Sequence, residues 1–148
     1  MTVLREQIET TLPPDDTFTF VADFANSAQW DPGVASSTRL DAGPVGVGAR
    51  YRLGVRIAGR VAPMDYRVVA FEPGRRVVLE GSGRGVRATD DIRFTDTAHG
   101  TRIDYLADIR LVGLLRPLTP LAHGALVRIG EAARDGMQRA LDQRAAAA

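Results

Sequence analysis

The apolar positions of this chain change period twice. In VLREQIETTL, Leu4, Glu6, Ile8 and Thr10 alternate imperfectly with Val3, Arg5, Gln7 and Glu9, which predicts a first strand with one wet face. Pro13-Pro14 stops it, and Asp15 or Asp16 can cap a helix running to about Ala25, with acids at the end the helix dipole favours. Phe20, Val21 and Phe24 fall at helical spacing and form its buried stripe. A short helical turn then carries Trp30, and Asp31-Pro32-Gly33 ends it.

From Val34 to Arg110 the period is that of strands separated by turn residues. The segments are Val34–Leu40, Arg50–Ile57, Val61–Phe71, Arg76–Glu80, Val86–Phe94 and Thr101–Leu111, with GSGRG read as a flexible connection. Loops this short join antiparallel neighbours, because a parallel pair needs a long crossover. The last segment, about Arg116 to Gln143, returns to helical period. Its apolar side collects Leu118, Leu121, Ala122, Ala125, Ile129, Ala132, Ala133, Gly136 and Ala140, and Ile129 is expected at the centre of the buried face. So small-sided a stripe means that either the sheet comes very close or a space is left for a ligand.

Alternation also sorts the strand residues by face. Met64 and Tyr66 point inward from the fourth strand, and Ile103 and Tyr105 from the seventh. Asp90 shares a face with Val86, Ala88, Ile92 and Phe94, so it is the one carboxylate that alternation sends inside.

Composition narrows the function classes. The length of 148 residues fits one domain over 1–148, and no uncharged apolar run approaches the roughly 18 residues of a membrane span. All 19 basic residues are arginine, dispersed among 18 acids, which argues against nucleic acid as a partner. The absence of cysteine and of a signal-peptide pattern predicts a cytoplasmic protein. Two separated histidines and no cysteine make no metal site, and no cofactor is expected. GSGRG lacks the Gly-Lys-Ser/Thr ending of a phosphate loop, and there is no Gly-x-Ser-x-Gly elbow.

One strand, short helices, a six-strand meander and a long final helix make the helix-grip order. The segments TLPPDDTFTFVADFANSAQWDPGV, DYRVVAFEPGRRVVLEG and HGTRIDYLADIRLVGLLRPLTPL resemble the polyketide cyclase/dehydrase branch of the START-like (SRPBCC) superfamily over nearly the whole chain. The resemblance implies an α+β fold, a seven-stranded antiparallel sheet wrapped around the C-terminal helix, with two short helices between the first two strands. It also implies a cavity between sheet and helix. Members of the superfamily include apolar-ligand carriers, aromatase/cyclases and binding modules, so the fold alone does not choose among them. The inward residues favour a binding role for a small, lipid- or polyketide-like molecule, with Trp30, Met64, Tyr66, Ile103, Tyr105, Leu121, Ala122, Ala125 and Ile129 as contacts. The alternative is a cyclase or dehydratase using Asp90 and a tyrosine, Tyr66 or Tyr105, as acid and base. What separates the two is whether titratable groups converge in the cavity. The oligomeric state stays open, a homodimer included.

Overall fold

The computed structural model describes residues 1–148. Its elements are β1 (Thr2–Thr10), α1 (Pro14–Ala22), a 3-10 helix (Phe24–Gln29), β2 (Val34–Arg39), β3 (Arg50–Ile57), β4 (Arg60–Glu72), β5 (Arg76–Gly83), β6 (Val86–Asp96) and β7 (Thr101–Leu111). A second 3-10 helix (Gly113–Leu118) leads into α2 (Thr119–Ala147). The seven strands form one antiparallel sheet in the order β1-β7-β6-β5-β4-β3-β2, so the meander is closed by the first strand returning beside the last. This is the expected helix-grip architecture.

Two boundaries differ from the sequence reading, each for a local reason. GSG of GSGRG is not a flexible connection but the end of β5, with Gly81 opposite Tyr66 and Gly83 opposite Met64. A Cβ on Gly81 would lie 2.5 Å from the Tyr66 ring, so the missing side chain is the space the ring occupies. The last helix begins at Thr119 rather than Arg116, because Pro117 sits inside a 3-10 turn and Pro120 stands in the first turn of α2, where its missing N–H costs nothing.

The core has an aromatic end and a looser end. Phe18 of α1 packs edge-on between Phe71 and Phe94, with ring centroids 5.4 and 5.0 Å away. Phe71 reaches it through a bulge between Val68 and Ala70. Phe24 meets Trp30, Tyr51 and Tyr66, the Tyr66 ring at 5.5 Å. The close aromatic spacing from Phe20 to Trp30 therefore plugs the junction between the short helices and the sheet. The Tyr51 hydroxyl is buried there near Asp23.

The helix stripe is rotated by about one residue from the one expected. Gly136, Met137 and Leu141 are its buried residues, whereas Leu121 is 81% exposed, Ala125 and Ala132 face water, and Ile129, expected at the centre of the buried face, is exposed at its edge. Alanine tolerates either environment, so a run of alanines cannot fix which side of a helix is buried. Met137 and Leu141, neither of them part of the expected stripe, are the residues that do.

Candidate functional site

A cavity of about 150 Å³ lies between the inner face of the sheet, the first 3-10 helix and the middle of α2. Its wall is mostly apolar. Leu53, Val55 and Met64 come from β3 and β4, Val86 and Ala88 from β6, Ala107 and Ile109 from β7, and Leu126, Ile129, Gly130, Ala133 and Met137 from α2. Ile57 and Ile129 line it while remaining 43% and 37% exposed, so it opens to solvent between the β3–β4 turn and the helix. A larger trough of about 590 Å³ crosses the opposite face of the sheet, but its lining is charged, including Arg50, Arg67, Glu80 and Asp108. An apolar pocket with a few convergent polar groups is the better small-molecule site.

Those polar groups gather around Asp90. The side chain is buried, and the Tyr105 hydroxyl donates to its Oδ2 at 2.6 Å, while no protein group bonds Oδ1. Burial pushes the carboxyl up to about 6, against the Tyr105 hydrogen bond, which favours the charged form, and with a smaller upward push from Asp31. Burial and then the charge of Asp90 hold the Tyr66 and Tyr105 phenols well above their ordinary value, so both remain donors. Trp30 packs edge-on to Tyr105 at 6.1 Å, and its indole N–H is buried with no hydrogen-bond partner. Such an orphaned donor costs about 1–3 kcal/mol. Glu6 and Arg134, 3.8 Å apart and half-exposed, lie at the margin of the same cavity.

Of the residues singled out in the sequence, Trp30, Met64, Tyr66, Asp90, Tyr105 and Ile129 lie on this cavity, and Asp90 points inward as alternation requires. Four do not. Ile103 is fully buried two positions below Tyr105, in the packed part of the core. Leu121, Ala122 and Ala125 sit on the first turns of α2, off the cavity, because the stripe is rotated and the helix starts later than expected. Asp31 is the residue that sequence reasoning missed. Its Oδ1 accepts from the Gly33 N–H at 2.8 Å, an Asp-turn bond that explains the residue completely as a turn former. Yet Asp31 also lines the cavity, and burial raises its carboxyl above the usual range. Nothing in the sequence separates these two uses of one side chain.

The geometry meets a match that covers the chain from end to end. A family described as polyketide cyclase/dehydrase and lipid transport matches residues 1–148. The chain belongs to that family. Among solved structures, the polyketide cyclase/dehydrase-like fold recurs in Zhui aromatase/cyclase from Streptomyces sp. R1128. It is 16% identical, with 97% of this chain and 93% of that one covered and a TM-score of 0.78. A START superfamily protein from Mycobacterium smegmatis is 15% identical over 99% of both chains, with a TM-score of 0.77. Likeness at this identity shows the fold alone. No curated protein matches the chain in sequence. No helix is long and apolar enough to cross a membrane.

Proposed function

We propose that residues 1–148 act as one binding domain for a small, largely apolar molecule that carries an oxygen function, a carbonyl or hydroxyl. The observation that carries this reading is the wall of the cavity, apolar on most of its surface, with polar side chains confined to one region. Apolar walls supply affinity, and the few polar groups orient the ligand. A ligand oxygen that reaches the Trp30 N–H would satisfy a donor the protein leaves unpaired. The volume sets a limit. An apolar cavity of roughly 150 Å³ takes a molecule the size of benzene, so one ring fits inside and a larger molecule would extend through the opening beside Ile57.

A second reading is favoured by the convergence of Asp90, Asp31, Tyr66 and Tyr105 in the cavity, the feature that separates an enzyme from a carrier. Asp90 is buried and poised at about 6, so at neutral pH its carboxylate could take a proton from carbon next to a carbonyl, with Tyr66 donating to the oxygen. That is the acid and base pair of a cyclase or dehydratase. Asp90→Asn separates the readings: it abolishes turnover in an enzyme and leaves apolar binding largely in place in a carrier.

The test of the leading reading is a comparison of phenol with benzene by amide chemical-shift titration. Both are expected to shift cavity residues, with phenol binding more tightly. Shifts confined to the outer face of the sheet, or no saturable shifts at all, would sink it.

A further inference from the structure

One end of the sheet is both apolar and cationic, and nothing in the cavity explains it. The strand register brings the β3–β4 turn, the β5–β6 turn and the second 3-10 helix to that end, since Ile57 pairs with Arg60, Gly83 with Val86, and Val86 with Leu111. Leu115 of the 3-10 helix sits on the β5–β6 turn, where a Cβ on Gly85 would come within 2.5 Å of its Cδ1. Beside it Leu114 is 98% exposed, and Leu118, Leu121 and Val61 also stand largely in water. A group of large exposed side chains marks an interaction surface, where single ones would mean little.

The charge at this end has one sign. Arg56, Arg60, Arg84, Arg87 and Arg116 are exposed, and residues 56–64, 81–89 and 109–124 contain no Asp or Glu. Elsewhere the arginines sit beside acids, Arg52 at 2.8 Å from Asp65 and Arg76 at 2.8 Å from Asp91. Protruding leucines at the same end as arginines that no carboxylate pairs fit a surface that is negative outside and apolar just beneath. A lipid bilayer with anionic headgroups is such a surface. An acidic protein would answer the arginines but would need a matching hollow for Leu114, which stands clear of its own chain.

We propose that this end of the molecule docks on an anionic membrane surface, with Leu114, Leu118 and Leu121 entering the interface and the arginines meeting lipid phosphates. The docking does not depend on what the cavity holds. It does place the solvent opening beside Ile57 at the same end as the lipid, which suits exchange of an apolar ligand with a membrane.

Flotation with vesicles tests this. The protein is expected to float with phosphatidylglycerol/phosphatidylcholine vesicles, not with phosphatidylcholine alone, and to release as salt rises. Arg84→Gln with Arg116→Gln removes two charges and is expected to lower partitioning about thirtyfold. Leu114→Glu with Leu121→Glu is expected to lower it by about tenfold or more. Both pairs are surface changes, so melting and phenol binding should stay as in the unaltered protein, which keeps a failure of docking distinct from a failure of the cavity. No flotation at low salt, or flotation unchanged in both double variants, overturns the proposal. So does self-association that ignores vesicles and vanishes in the leucine variant, since the surface would then join copies of this chain.

Discussion

At the scale of single residues, Asp90 is a group whose burial works against the fold. Its carboxyl holds a proton up to about 6 in the folded state, against about 3.8 when free. Between those values the folded chain binds more protons than the unfolded one, so stability falls as pH rises through that window and stays low above it. The cost above the window is on the order of 2–3 kcal/mol. Asp90→Asn keeps the acceptor for Tyr105 and removes the charge. Melting of this variant should exceed that of the unaltered protein by about 1–3 kcal/mol at pH 8 and by little near pH 4. An equal effect at both pH values would show that Asp90 is not buried as a charge. Gly81 makes the complementary point. Gly81→Ala would push a methyl into the Tyr66 ring, which Phe24 backs at 5.5 Å, so it should cost about 1–3 kcal/mol and disturb the cavity. Chemical denaturation measures both changes.

At the scale of elements, α2 has its buried residues in its C-terminal half and is largely exposed along its N-terminal half. Met137 and Leu141 are fully buried, and a Cβ on Gly136 would lie 2.1 Å from the Trp30 carbonyl oxygen, so helix and chain touch there backbone to backbone. Leu141→Ala is expected to cost about 2–5 kcal/mol, while Leu121→Ala on the exposed half should stay within about 0.5 kcal/mol. Equal losses in urea unfolding would return the helix to the face expected from its sequence. The sequence reading offered two causes for the small residues of this helix, and the structure uses both at different positions. Gly136 serves close approach, and Ala133 borders the cavity. Strand faces were legible because alternation has a period of two and the bulge in β4 lies beyond Tyr66, so Met64, Tyr66, Asp90 and Tyr105 came out on the correct side. Helix rotation was not legible, because an alanine stripe carries too little contrast between its faces. Asp31 was hidden by its turn, and the length of β5 by glycines that read as a loop.

At the scale of the whole molecule, the sheet, the first 3-10 helix and α2 enclose a space that fits one ring, with Asp31, Tyr66, Asp90 and Tyr105 on it and Glu6 and Arg134 at its margin. Ala133→Phe should fill the space and leave the protein folded, at a cost of about 1–3 kcal/mol where Ala133 also meets the packed core. Trp30 is the chain's only tryptophan and lines that cavity, so the protein carries its own reporter. The decisive measurement is the emission of Trp30, excited at its red edge where phenol does not absorb, as phenol is added to the unaltered protein and to Ala133→Phe. The account predicts a saturable change in the first and none in the second, with both proteins folded. No saturable change in the unaltered protein, or the same change in the filled variant, would mean that the cavity is not where a ligand binds.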